Sequence, residues 1–232
     1  MQESSGSSSI PTESLHRLAL YHCKLTDMLL ARHKDVITSE ELAKALGLNG
    51  ATIRRDLMFI GGPYGKRGTG YNIGMLRHMI GDFLSLPSFA PIAIVGSTTV
   101  ARSIFEFFPI EKSGFTPAAF FSEDPRDQGV WINGCEVQSI EAISPAIAAM
   151  GIRVAMVATH PTWLMHSIGL LAQAGIKSIL VLTQAEITKA PEGVCIMQLG
   201  ITCELKSLFY YASQLEHNNQ PSVVKIIADK PL

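Results

Sequence analysis

The chain has 232 residues, of which 47% are hydrophobic, and its formal net charge at pH 7 is −1. This length allows one large or two small domains with a core in each, and the near-neutral charge excludes a protein that binds nucleic acid through bulk positive charge. Its four cysteines form no CxxC pair and no Cys/His cluster, which excludes a structural zinc site and a disulfide scaffold and favours a reducing cytoplasm.

The N-terminal residues 1–9 are rich in serine and lack the apolar core of a signal peptide, so we expect a disordered leader there. No later apolar run approaches the length that spans a bilayer, so we expect no membrane segment. Residues 10–31 have apolar positions at helical spacing, with Pro11 suited to the first turn. The predicted inner side of this helix carries Leu15, Leu18, Leu25, Met28 and Leu29.

The next stretch predicts two short helices joined by a tight turn. Thr38 and Glu41 are spaced as a capping box, and Gly47 ends the helix that starts there. Asn49 is a suitable N-cap for a second helix over residues 51–60. The buried face of that helix is predicted to be Ile53, Leu57 and Ile60, and its other side to present Thr52, Arg54 and Arg55. This arrangement is a helix-turn-helix.

A basic, glycine-rich segment follows at residues 61–71 (GGPYGKRGTGY), with Lys66 and Arg67 at the centre of a predicted hairpin. An arginine pair on an amphipathic helix is by itself usually a solvated face. The second basic cluster beside it makes the combination typical of a winged helix, in which the helix enters a DNA groove and the wing contacts the backbone or minor groove. The sequence therefore predicts a DNA-binding domain over residues 10–86.

A further helix is predicted over residues 72–86, with Leu76, Met79, Ile80 and Phe83 inward, and the proline-containing residues 86–91 mark a domain boundary. Short apolar runs then alternate with helical segments, which predicts a Rossmann-like, doubly wound parallel sheet, an α/β fold, over residues 90–201. The predicted strands are residues 92–95, 118–121, 154–158, 179–182 and 194–197. A helix over residues 202–217 with exposed aromatic side chains suggests a dimerisation element, and residues 218–232 form a tail.

From about residue 10 to residue 212 the chain resembles the Rex family of redox-sensing repressors. Its N-terminal signatures are matched by residues 17–21 (RLALY), 39–47 (SEELAKALG), 51–57 (ATIRRDL) and 65–71 (GKRGTGY), and its C-terminal half by residues 174–180 (AGIKSIL) and 204–211 (ELKSLFYY). The resemblance implies a transcriptional repressor whose second domain binds NADH. It also implies a homodimer that exchanges the C-terminal helix and releases its inverted-repeat DNA operator when NADH binds.

The nucleotide motif departs from the family pattern. Of three glycines in the family's turn only Gly96 is kept, and the branched Thr98 at the second position is expected to crowd the pyrophosphate. Ser122 stands where the family has the aspartate that holds the adenine ribose hydroxyls. Phe107 replaces a tyrosine on the following helix, and Gly200 replaces an aspartate before the last helix. We therefore expect NADH sensing to be weakened or replaced.

Other readings remain open. The hydroxyls of Ser97 and Thr99, with Glu123 as a displaced ribose acceptor, would rebuild an NAD(H) site, and Arg102 or Arg126 would favour NADP(H), although such arginines are more commonly plain surface. His160 follows a strand end and would face the pocket, although a lone histidine there is more commonly a loop residue. An NAD(P)-dependent oxidoreductase or other nucleotide-binding enzyme is an alternative, but no catalytic residue stands out. A scaffold that does not bind DNA is another.

The candidate site residues fall into two sets. The candidate DNA-binding residues are Thr52, Arg54, Arg55, Lys66 and Arg67. The candidate cofactor-binding residues are Gly96, Ser97, Thr98, Thr99, Val100, Ser122, Glu123, Thr159 and His160. No metal site is expected.

Overall fold

The computed structural model describes residues 10–32, 34–61, 69–87, 89–107, 110 and 114–218, with side chains as far as residue 213. The chain divides after Pro87 into two units, each with its own core. The predicted leader, the centre of the predicted wing with Lys66 and Arg67, and residues 219–232 of the predicted tail lie outside the described residues.

Four helices and a two-stranded sheet make up the first unit. They are α1 (Thr12–Leu30), β1 (Val36–Ile37), α2 (Ser39–Leu46), α3 (Gly50–Phe59), β2 (Tyr71–Asn72) and α4 (Ile73–Phe83), with β1 and β2 antiparallel. Buried apolar side chains from all four helices and from β1 form one cluster, which includes Leu18, Ile37, Leu42, Ile53 and Ile80.

The predicted helix caps are confirmed. The Thr38 hydroxyl accepts a hydrogen bond from the backbone N–H of Glu41, and the Glu41 carboxylate accepts one from the backbone N–H of Thr38 at 2.8 Å. Gly47 ends α2 with φ +66°, a conformation that glycine adopts without strain. The Asn49 side chain accepts a hydrogen bond from the Ala51 N–H at 2.7 Å at the start of α3.

Several predicted details of this unit are wrong. The buried stripe of α1 consists of Ser14, Leu18, Tyr21 and Leu25, so Leu15 lies one position around the helix and is 38% exposed. Phe83, the last residue of α4, is 39% exposed rather than inward. Pro11 is the N-cap of α1 rather than a first-turn residue. Ile60 is the C-cap of α3 rather than its last helical residue, and it packs half-buried against the core as predicted.

The second unit is built on a seven-stranded sheet with the order β5-β6-β4-β3-β7-β8-β9. Its strands are β3 (Ala90–Gly96), β4 (Phe115–Ser122), β5 (Trp131–Ile132), β6 (Cys135–Ser139), β7 (Val154–Ala158), β8 (Ser178–Val181) and β9 (Cys195–Gln198). Its helices are α5 (Thr98–Phe107), α6 (Ile143–Met150), α7 (Pro161–Gln173) and α8 (Ile201–Asn218). All neighbouring strands are parallel except β5 and β6.

Alternate residues of β3 pack in two different clusters, which makes the sheet doubly wound. Ala93 and Val95 pack with residues of α6 and α7, whereas Ile94 packs with residues of α5. The five predicted strands are confirmed. The sequence prediction missed β5 and β6, because β6 alternates polar and apolar residues and β5 is only two residues long.

The strand order brings three strand ends together. β3 lies between β4 and β7, so the segments after Gly96, Ser122 and Ala158 meet at one edge of the sheet. This is the point at which the strand order reverses, where open α/β sheets bind ligands. No helix in the described part of the chain is both long and apolar enough to cross a bilayer.

Candidate functional site

The outer side of α3 carries the candidate DNA-binding residues that the structure describes. Arg54 and Arg55 are exposed and Thr52 is half-buried. These side chains lie near the start of α3, in the second helix of the helix-turn-helix, which is the helix that enters a DNA groove in proteins of this type.

Beside these arginines on α3, Asp56 is fully buried and is held by α1. The Arg17 guanidinium donates two hydrogen bonds to the Asp56 carboxylate, at 2.7 and 2.8 Å, and the Tyr21 hydroxyl donates a third at 2.7 Å. Burial alone would raise the pKa of Asp56, but the hydrogen bonds outweigh it and the pKa is lower than usual. Burial also raises the pKa of Tyr21. The carboxylate is therefore charged at neutral pH and joins α3 to α1.

Sequence reasoning assigned no role to Arg17, Tyr21 or Asp56. A signal was present, because Asp56 lies three residues after Ile53 and next to Leu57, on the side of α3 that is otherwise apolar. A charged residue at such a position is rarely buried unless it is paired.

Arg54 is tied to the start of α2. Its guanidinium donates to the Ser39 hydroxyl and to the Glu40 carboxylate, both at 2.8 Å. Both members of the Arg54–Glu40 pair are solvent-exposed, so the pair is weakly stabilising.

In the second unit, a cleft of about 370 Å³ opens at the meeting point of the strand ends. It is lined by Ser97, Ser122, Glu123, Asp124, Pro125, His160 and Trp163. Four of the predicted cofactor-binding residues line it, and Gly96, Thr98, Thr99, Val100 and Thr159 do not. A Cβ at Gly96 would lie 2.7 Å from the Ala158 carbonyl oxygen, so glycine is required there for the approach of β3 to β7.

Two of the altered motif positions, Thr98 and Ser122, are hydrogen-bonded to the same carboxylate. Thr98 donates to Asp127 through its backbone N–H at 3.1 Å and through its hydroxyl at 2.7 Å. Ser122 is fully buried and donates its hydroxyl to the same carboxylate at 2.8 Å. Burial acts to raise the pKa of Asp127, but the hydrogen bonds from Thr98 and Ser122 outweigh it and lower the pKa. Sequence reasoning did not single out Asp127.

Glu123 and His160, which both line the cleft, are joined by a hydrogen bond. The His160 backbone N–H donates to Glu123 Oε1 at 3.3 Å, and the His160 ring caps α7 by accepting from the Thr162 N–H. Within the described residues, Glu123 Oε2 and the Thr159 hydroxyl are buried and have no hydrogen-bond partner. Glu123 therefore presents an acceptor that a ligand donor would satisfy.

The other residues that the sequence suggested for nucleotide binding or coupling do not line the cleft. The Arg126 guanidinium is held by the Asp124 carboxylate at 2.6 to 3.1 Å and lowers the pKa of Asp124 to about 2, so it is not free for a 2′-phosphate. Arg102 and Phe107 are exposed, and Gly200 directly precedes α8. Across the described residues there is no group of three His, Cys, Asp or Glu side chains that could hold a metal ion.

The sequence family described as "Putative DNA-binding protein N-terminus" matches residues 9–57. The chain is 32% identical over 202 residues to the redox-sensing transcriptional repressor Rex of Streptomyces griseus, covering 87% of this chain and 79% of that one. It is 31% identical over 216 residues to Rex of Roseiflexus sp. strain RS-1, covering 91% of this chain and 97% of that one.

Three solved structures of RSP, a Rex-family repressor, are similar over 90% of this chain. The complex of RSP with NAD+ and operator DNA has 26% identity and a TM-score of 0.77 over 95% of its chain. The complex with NADH has 25% identity and a TM-score of 0.76 over 97%. Members of this family are transcriptional repressors and not enzymes. The chain therefore belongs to the Rex family of redox-sensing transcriptional repressors.

Proposed function

We propose that this chain is a homodimeric transcriptional repressor that binds an inverted-repeat DNA operator and responds only weakly to NADH. It acts in the reducing cytoplasm, where the free state of its four cysteines is stable.

The observation that carries the DNA-binding part is the placement of Arg54 and Arg55. Both lie on the exposed side of α3, while Asp56 next to them is locked to Arg17 of α1. A reading helix must be held rigidly by its neighbour for its side chains to reach base edges in register. The similar RSP protein was solved with operator DNA, which supports the same use of this unit.

The weak response to NADH is supported by the cleft. RSP was solved with NADH and with NAD+, so the family site accepts the dinucleotide. In this chain Thr98 and Ser122 are hydrogen-bonded to Asp127 instead. A ligand shifts an equilibrium only by its differential affinity for the two states, so weak binding leaves operator affinity nearly independent of the NADH/NAD+ ratio.

The homodimer is supported by α8. None of its side chains from residue 201 to residue 213 is buried, and Phe209 is 80% exposed. The exposed apolar side chains of this segment are Ile201, Leu205, Leu208, Phe209 and Tyr210. So large an apolar surface on one helix is typical of a protein interface, and exchange of α8 between two copies would cover it.

The test of this function combines operator binding with ligand titration. Operator fragments are selected from random duplexes by the purified full-length protein, and mobility shift then measures their affinity with and without NADH. Calorimetry with NADH, NAD+ and NADPH measures the ligand affinities. We expect operator binding that NADH barely changes and NADH binding weaker than micromolar. Micromolar or tighter NADH binding with operator release would contradict the weak response, and failure to select any operator would contradict the repressor itself.

The dimer is tested by light scattering. The full-length chain should be a dimer at micromolar concentration, and truncation after Thr202 should yield monomers. A full-length monomer at that concentration rules out the exchanged helix.

A further inference from the structure

The start of α5 is occupied by a carboxylate of the chain itself. Thr98 is the first residue of α5, so its N–H is one of the helix-start donors that have no partner within the helix and that carry the positive end of the helix dipole. The Asp127 carboxylate accepts this N–H together with two hydroxyl groups. A carboxylate at this place has the charge and the acceptor atoms of a bound phosphate.

Asp127 is also fixed through its backbone. Its N–H donates to the Asp124 carbonyl at 3.0 Å, and its carbonyl accepts from the Val130 N–H at 3.2 Å. The residue therefore lies in a hydrogen-bonded turn between β4 and β5, and its side chain is aimed at α5 by that turn. Ser122 stabilises both the turn and the Asp127 side chain, because its hydroxyl donates to the Asp127 carboxylate and accepts from the Asp124 N–H at 3.1 Å.

The identity of the side chain at position 122 matters for this arrangement. A serine hydroxyl supplies a donor to Asp127, whereas an acid in the same buried place would set two carboxylates against each other. Thr98 acts in the same way, since its hydroxyl donates the shortest of the three hydrogen bonds at 2.7 Å. Both side chains are suited to an internal carboxylate.

The cleft beside Asp127 is acidic. Glu123 and Asp124 line it, and Arg126, the cation nearest to them in sequence, is paired with Asp124. The hydrogen bonds that lower the pKa of Asp127 keep it charged at neutral pH. A phosphate that enters must displace one carboxylate from α5 and then lie close to others, and like charges brought together in this way oppose binding.

Another carboxylate that lines the cleft lacks a hydrogen-bond donor for one of its oxygens within the described part of the chain. Glu123 Oε2 is buried and, among the residues described, has no hydrogen-bond donor. A buried acceptor without a partner is costly, so a ligand hydroxyl or amino group there would be favourable. The cleft thus offers hydrogen-bond acceptors, and its negative charges oppose the binding of an anionic ligand.

We infer that Asp127 is an intramolecular occupant of the phosphate position, so that this cleft favours uncharged hydrogen-bond-donating ligands, nucleosides among them, over pyrophosphate-bearing dinucleotides. The inference rests on the proposed function and names the residue that weakens its response to NADH.

The test compares two probes on the full-length protein by calorimetry. The probes are NADH, which carries the pyrophosphate, and adenosine, which has no phosphate. Asp127→Ala should bind NADH about tenfold tighter than the wild type or better, because the α5 donors are released to the ligand, whereas adenosine affinity should change little. Glu106→Ala removes an exposed negative charge from the same helix and should leave both affinities unchanged.

Unchanged NADH affinity in Asp127→Ala, or an equal gain for adenosine, overturns the inference. If Asp127→Ala does not fold, Asp127→Asn keeps the side-chain shape without the charge and should give a smaller gain that is still confined to NADH. The affinities of the wild type are an independent test. If the wild type binds NADH tenfold more tightly than adenosine, the inference is also overturned. None of these outcomes depends on operator binding, so the repressor function is tested separately by the operator experiments.

Discussion

Each unit of this protein has an aspartate that is held by several hydrogen-bond donors, but the donors differ in charge. Asp56 in the first unit is fully buried and is paired with the Arg17 guanidinium. Asp127 in the second unit is partly buried and is held by two hydroxyl groups and one N–H. Both carboxylates are charged, but the charge of Asp56 is balanced by a guanidinium, whereas Asp127 has only neutral donors.

The difference distinguishes a contact that only stabilises the fold from a contact that uses the donors of a ligand site. A guanidinium that is matched to a carboxylate is satisfied within the protein and leaves nothing for a ligand. Hydroxyl groups and a helix-start N–H are the donors with which proteins bind phosphate, and here they hold a side chain instead. We therefore expect loss of the Asp56 contact to affect folding, and loss of the Asp127 contact to affect ligand binding.

The largest effect is expected for Arg17→Ala. It leaves a charged Asp56 buried without its guanidinium partner, and breaking such a pair from one side costs about 3 to 5 kcal/mol of unfolding free energy. Urea unfolding followed by far-UV circular dichroism measures this. Asp127→Ala is the comparison, with an expected loss of about 1 kcal/mol, because the donors that it leaves behind are uncharged. Equal losses in the two variants would remove the distinction between the two aspartates.

A smaller effect is expected for the exposed arginines of α3. Arg54→Ala and Arg55→Ala should fold normally, and an arginine that contacts a base should cost about 1 to 3 kcal/mol in operator affinity and relax the preference at one position. Mobility shift with the selected operator and with single-base variants measures both quantities. Equal weakening on the operator and on random DNA would make that arginine a phosphate contact only.

The smallest effect is expected at Glu40. Glu40→Gln releases Arg54 from an exposed ion pair and should tighten operator binding by about 0.2 to 1 kcal/mol. The same substitution in an Arg54→Ala background serves as the control, because no ion pair remains to be broken there. If Glu40→Gln tightens binding equally in both backgrounds, removal of a negative charge near DNA is the cause and the Arg54 contact is not.

Local sequence patterns were enough to predict most elements of both units. The capping box at Thr38 and Glu41, the glycine stop at Gly47 and the five apolar strands depend on neighbours a few residues away, so they are readable in one dimension. The position of Leu15 was mispredicted from a local pattern of the same kind, because the apolar residues of α1 are compatible with more than one buried stripe. In the structure, the burial of Ser14 and Tyr21 shows which of these stripes faces the core.

By itself, the sequence determined the fold class, the order of most elements and the membership of the Rex family. Only the tertiary structure decided which partners the charged groups take. Arg17 meets Asp56 from 39 residues away, and Asp127 meets Thr98 from 29 residues away. Such pairs form because packed helices and neighbouring strand ends bring remote segments together, and no local pattern encodes the direction in which a side chain then points. For that reason the altered residues Thr98 and Ser122 were recognised from the sequence, while the carboxylate that they hold was not.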